Sequence, residues 1–325
     1  VSSLKSGNYI EEKNYMGLFD DPFISLQMGV LSSGVISPSG AVIDLVAEKM
    51  QLSSIIEKKV FDIEGKKIGY LFYSDFFGGS EKELNEVFHW FQEEGVGDVV
   101  LDLRYNPGGY VNVATHLSSI LAPMDVVNSE KVLVTYQWNA GYQAYWEQEK
   151  QYARLRTVFN KSVPVNMNLQ RLYVFTTSSS ASASELVITG LDPYMEVIKI
   201  GGASHGKYTG SSLFRPETYN GKTWEVDQEI KNWGILPIIF RYANSLGITN
   251  FKNGFTPDYI VPDLLLEGVQ QLGDPNEPFL GKALELISGI NFSVHAPTTK
   301  SGFEMRVDLL PKKDYFHGSV FVKMD

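Results

Sequence analysis

A strand, a small-residue turn and an apolar helix follow one another twice in this chain, about seventy residues apart, and that repeat restricts the fold more than any other feature. The first copy is Val99-Val100-Leu101-Asp102-Leu103-Arg104, then Asn106-Pro107-Gly108-Gly109, then a helix from about Val111 to Leu121. The second is Tyr173-Val174-Phe175, then a Ser/Ala-rich turn from Thr177 to Glu185, then a helix opening on Leu186-Val187-Ile188 and closing at Leu191-Asp192-Pro193. The run from Val99 to Leu103 lacks strict alternation, as a strand buried on both faces does. Upstream, Lys67 to Tyr73 reads as a strand, and Ser80 with Glu83 predicts a capping box. The helix it opens carries Leu84, Val87, Phe88 and Phe91 at i, i+3, i+4 and i+7, a single stripe facing a sheet. Strands outnumber helices, so the pattern predicts an α/β fold of repeated ββα units rather than an all-parallel Rossmann sheet.

The flanks are different in texture. Residues 1 to about 55 predict a small incomplete unit: a short helix at Asn14–Phe19, a strand at Phe23–Val30, a turn at Ser37-Pro38-Ser39-Gly40 and a strand at Ala41–Leu45. Between the two repeats, Tyr142, Tyr145 and Trp146 lie at helical spacing; packing on the core is the commoner use of such a stripe, a lid or substrate wall the other. Asn276 is placed to cap a helix from about Pro278 to Ile287, and alternation of Phe303, Met305, Val307 and Leu309 predicts a β extension over 291–325.

Charge and composition exclude several functions. With 28 basic and 38 acidic residues in 325, the net charge of −10 argues against nucleic acid as a partner. Zero cysteines remove disulfides, thiolate metal sites and a Cys nucleophile, and no His-Glu-x-x-His spacing occurs, so no metal is expected. No apolar run reaches the roughly 20 residues of a spanning helix. The chain begins at Val1 without a charged and apolar leader, which fits removal of a targeting segment.

Chemistry points to Ser182-Ala183-Ser184-Glu185. Ser at a helix start with Glu three residues on is a capping box, complete as structure alone. The same place sits beside unsatisfied N–H groups and the positive end of a helix dipole, which stabilise an oxyanion. A hydroxyl needs a base. Lys207, after the strand Val197-Ile198-Lys199-Ile200 and its glycine-rich exit loop, serves if burial keeps its amine neutral. Gly202-Ala203-Ser204-His205-Gly206 matches the G-x-S-x-G elbow but is not followed by a helix pattern, and His205 is the other competing base.

Taken together and in order, Asp102-Leu103-Arg104 through Gly108-Gly109, Ser182-Ala183-Ser184-Glu185 and Gly206-Lys207 resemble the signature blocks of the carboxyl-terminal processing (tail-specific) serine proteases, over about residues 60 to 265. The resemblance implies a serine endopeptidase with Ser182 as nucleophile, Lys207 as general base and Glu185 as a supporting carboxylate. Ala183 and a glycine of Gly108-Gly109 would donate the oxyanion-hole N–H groups. It also implies a crotonase-like spiral of ββα units over residues 56–290, a partial PDZ-like unit at 1–55, a polypeptide substrate, no cofactor, and export to a periplasm or cell envelope. Where many members carry Gln four residues after the lysine this chain has Ser211, so Glu185, Ser211 or a backbone carbonyl would hold the amine. A non-catalytic peptide- or lipid-binding relative on the same scaffold is the alternative.

Overall fold

The computed structural model describes residues 22–32, 35–48, 53–263, 270–292 and 321–323, which fall into two compact units. In the first, β1 (Phe23–Ser32) and β2 (Val35–Val46) pair antiparallel, with a register shift between Gln27 and Gly29. This hairpin is the described part of the stretch read as PDZ-like. The helix expected at Asn14–Phe19 and the alternating run from Phe303 to Leu309 lie outside the described residues.

In the second unit, β3 (Ile55–Ile63) and β4 (Lys66–Tyr73) precede α1 (Glu81–Glu93), β5 (Asp98–Asp102) and α2 (Val111–Leu121). After them come β6 (Val132–Trp138), α3 (Ala140–Gln148), β7 (Arg156–Val158), β8 (Arg171–Thr176), α4 (Ala183–Leu191), β9 (Glu196–Gly201) and β10 (Thr209–Ser211). The last elements with a bearing on the site are β11 (Ile238–Asn244), β12 (Tyr259–Ile260) and α5 (Pro278–Ser288). The main sheet has six strands in the order β12-β9-β8-β5-β4-β3, parallel except for β3 at its edge. It is more parallel than the strand count suggests. The surplus strands instead build a separate antiparallel sheet, ordered β10-β11-β6-β7.

Alternation across the main sheet divides its side chains between two cores. Leu71, Tyr73, Val99, Leu101, Leu172 and Val174 pack with α1, α2 and α4, whereas Ile68, Tyr70, Phe72, Val100, Tyr173 and Phe175 pack with α5. Burial on both faces is what a parallel sheet requires, and it accounts for the unalternating run in β5. The stripe of α1 (Leu84, Val87, Phe88, Phe91) is buried as its spacing predicts. Each such side chain is worth about 1.5–3 kcal/mol. Phe91 lies so close to Gly69 that a Cβ there would fall 2.7 Å from its ring.

Three local expectations are corrected. Ser80 begins α1 but forms no capping box, because its hydroxyl donates to the Phe77 carbonyl and bonds the Tyr73 hydroxyl, both at 2.8 Å, while Glu83 accepts from Ser53. The cap of α5 is Glu277, not Asn276; its carboxylate accepts the Leu280 N–H at 3.0 Å. The aromatic stripe of α3 does not enter the core: Tyr142 and Tyr145 are 44% and 51% exposed. Tyr142 and Trp146 stack on each other and lean on Trp138 of β6.

Candidate active site

Loops leaving the carboxyl ends of β5, β8 and β9 carry the residues singled out above, at the edge where open α/β sheets present their chemistry. In the first loop Arg104 is 2% exposed, and its guanidinium is divided between two buried acids. Nε reaches both oxygens of Asp102 at 3.0 Å, and the terminal nitrogens reach Glu277 at 2.8 and 3.1 Å. The Tyr70 hydroxyl donates to Asp102 at 2.8 Å and the Phe279 ring lies 4.2 Å from the guanidinium. Every charge in the group has a partner, the condition for burying it.

Two residues on, Asn106 is fully buried and fastens this loop to the next. Its side chain donates to the Tyr73 carbonyl and accepts the Gly108 N–H, both at 2.9 Å; its own carbonyl accepts the Ala181 N–H at 3.0 Å and the Ser184 hydroxyl at 2.9 Å. Gly108 has φ +103°, and a Cβ there would come within 2.7 Å of Ser182 Cβ, so only glycine permits this approach. Its N–H is committed to Asn106. The N–H groups of Gly109 and Ala183 have no acceptor among the described residues.

The second loop ends on Ser182, half-buried, with φ 57° and ψ −109° at the start of α4. A non-glycine residue there carries strain of about 1–3 kcal/mol and persists only where its surroundings over-determine it. Those surroundings are visible. Thr177 donates to the Arg104 carbonyl, the Ser180 hydroxyl donates to that of Leu103 at 2.7 Å, and the Ser182 N–H donates to Glu185 at 3.0 Å. This last bond is the carboxylate half of the capping box read in the sequence.

Glu185, fully buried, is the meeting point of the second and third loops. One oxygen accepts the N–H groups of Ser182 (3.0 Å) and Lys207 (2.8 Å), and the other accepts the Gly206 N–H and the Ser204 hydroxyl, both at 2.6 Å. Lys207 is half-buried, and burial pulls its amine below the usual lysine range while the Glu185 carboxylate opposes the shift. The Tyr242 hydroxyl shares its single proton between the carbonyls of Ser182 and Lys207, at 3.0 and 3.1 Å, in a three-centre bond.

Ser204, the elbow-like serine, is 4% exposed, donates to Glu185 and accepts the Phe255 N–H at 2.7 Å. The next element is β10, not a helix, so the motif match is coincidental and the residue supports Glu185. Ser204→Ala is therefore expected to lower unfolding free energy by about 1–3 kcal/mol in urea titrations, by leaving buried partners unpaired. His205 is held by its backbone, with its N–H on the Ser180 carbonyl and Nδ1 3.2 Å from that of Ser178. Sequence reasoning missed the roles of Asn106, Tyr242 and Glu277, and weighed Ser204 only as an elbow serine. Of the three, only Asn106 carried a local signal, its place before Pro107-Gly108-Gly109 at the end of a central strand. Among the described residues, no cluster of three or more His, Asp or Glu could hold a metal, and no helix is long and apolar enough to cross a membrane.

A strained serine at a helix start lies beside amides without an acceptor among the described residues, on an α/β scaffold whose neighbouring loop carries a half-buried lysine. The chain belongs to peptidase family S41, whose model matches residues 67–261. It is 24% identical over 264 residues to the carboxyl-terminal-processing protease of Synechocystis sp., covering 81% of this chain and 53% of that protein. A crystal structure from Bacteroides fragilis described as an S41 protease superposes with a TM-score of 0.69 at 27% identity, over 87% of this chain and 71% of that one. The photosystem II D1 C-terminal processing protease shares the fold, with a TM-score of 0.50 at 16% identity over 79% of this chain and 60% of that one. The chain spans about half the length of the curated relatives it matches.

Proposed function

We propose that this chain carries the catalytic domain of a serine endopeptidase that cleaves polypeptides near their C-termini with a Ser182–Lys207 pair. The observation that supports this most directly is the strained Ser182, whose backbone is tied through the Glu185 carboxylate to the segment bearing Lys207. In the proposed reaction Ser182 Oγ attacks the scissile carbonyl carbon as Lys207 Nζ takes its proton. The N–H groups of Gly109 and Ala183 receive the oxyanion, and Gly108 is not used because its N–H is engaged by Asn106. Lys207 then returns the proton to the departing amine, and water hydrolyses the acyl-enzyme. Residues 56–290 would form this domain, 1–55 a partial PDZ-like unit and 291–325 an extension, in a protein of the periplasm or cell envelope; fractionation of the native cell tests the location.

A base that acts only when neutral sets the pH dependence. Burial lowers the Lys207 pKa and Glu185 raises it less, so kcat/KM for an unstructured polypeptide should rise with pH through a limb below the ordinary lysine value of about 10.4. Lys207→Ala should lose that limb and about 10²–10⁴-fold in rate. An unchanged rate in this variant would remove the lysine from the mechanism and favour a scaffold that only binds.

A further inference from the structure

Two side chains embrace the same pair of residues from opposite chemical sides. The Glu185 carboxylate accepts the backbone N–H groups of Ser182 and Lys207, and the Tyr242 hydroxyl shares its one proton between the backbone carbonyls of the same two residues. Glu185 is the third residue of α4. Tyr242 comes from β11 of the antiparallel sheet, sixty positions along the chain from Ser182. It is 2% exposed and well anchored: paired with Tyr136 across β6, donating its N–H to the Tyr208 carbonyl at 3.1 Å, accepting from the Thr249 hydroxyl at 2.8 Å, with its ring 5.8 Å from that of Phe251.

A phenylalanine would fill this part of the core equally well. The hydroxyl is costly to bury and, among the described residues, is compensated by its shared bond to Ser182 and Lys207. That bond also acts where the backbone is strained: with the Ser182 N–H held by Glu185 and its carbonyl by Tyr242, both peptide groups of the left-handed residue are fixed. We propose that Tyr242 is a positioning residue of the peptidase reaction, whose hydroxyl sets the separation of the Ser182 and Lys207 backbones by binding both carbonyls. The proposal rests on the reading of Ser182 as nucleophile and Lys207 as base.

The test is Tyr242→Phe, with Tyr194→Phe as its control. The Tyr194 hydroxyl donates to the Val132 carbonyl at 2.6 Å, a bond of the same kind away from the site. For cleavage of an unstructured polypeptide, Tyr242→Phe is expected to lower kcat by about 10- to 100-fold with KM within about twofold, since small misplacements of reacting groups have effects of this size. Tyr194→Phe should keep the parent kcat with a similar change in melting temperature. Hydrogen exchange, read by mass spectrometry on peptides containing Ser182 and Lys207, should quicken in Tyr242→Phe alone. A parental kcat in Tyr242→Phe, an equal loss in both variants, or unaltered exchange at the two segments would each overturn the proposal. If Ser182→Ala cleaves as the parent does, the catalytic reading fails instead, and the exchange measurement still decides whether Tyr242 holds the two segments together.

Discussion

Ser182→Ala should reduce cleavage of an unstructured polypeptide by about 10⁴-fold or more while leaving the folded protein near its parental melting temperature. The hydroxyl supplies one half of the capping box, facing the Glu185 N–H, a loss of about 1 kcal/mol at most, while the other bonds that hold the Ser182 turn are made by its backbone N–H to Glu185 and its carbonyl to Tyr242 and the Leu186 N–H. Alanine inherits the same unfavourable φ, so the strain stays in the variant. Ser182→Gly makes the complementary case. Glycine occupies φ near 57° without penalty, so that variant is expected to be as inactive as the alanine one yet more stable by about 1 kcal/mol. Stability and activity would then move in opposite directions at one position, the signature of a backbone held in a costly shape for a purpose. A Ser182→Ala protein that still cleaves would remove the nucleophile from the scheme.

The second large effect is on folding. Arg104→Leu should lower the unfolding free energy by about 3–5 kcal/mol in urea titrations, because it leaves Asp102 and Glu277 buried and unpaired. The favourable ring contacts of the guanidinium with Phe279 and Phe175 go with it. Burial already pushes the Asp102 carboxyl upward against the pull of Arg104, so losing the guanidinium favours its protonated form. Removing all three charges together with apolar residues should cost much less than removing Arg104 alone, apart from the cap that Glu277 supplies to α5. A loss below about 1 kcal/mol for Arg104→Leu would mean that water reaches these acids.

What the sequence disclosed was whatever is written in nearest-neighbour periodicity. The stripe of α1, the uninterrupted apolar run of β5 and the helix opening after Ser182 all appear in the structure where spacing put them. The three blocks around Gly108-Gly109, Ser182 and Lys207 could be found because each lies at the end of a strand, where polar and small residues stand out against apolar neighbours. Failures came where a distant side chain captured a local signal. Ser80 and Glu83 have the composition of a capping box, but Tyr73 and Ser53 take their oxygens. Ser204 read only as a chance elbow match because its partner Glu185 is on a helix in the preceding repeat. Tyr242 is one aromatic in a strand, and nothing in its neighbourhood records that its hydroxyl reaches two carbonyls in other loops. The stripe of α3 failed differently: helical spacing gave its period but not what it would face.

The Asn106 loop, the Ser182 turn, the Lys207 loop and Tyr242 are contributed by stretches far apart along the polypeptide and meet only once β5, β8, β9 and β11 have all taken their places. Non-local assembly of this kind comes late in folding. On the proposed mechanism, a nascent chain emerging from the ribosome would own its serine before the lysine segment and the tyrosine could hold it in position. Such a chain could not digest itself or its unfolded neighbours during synthesis, and hydrolytic power would switch on only with the finished molecule.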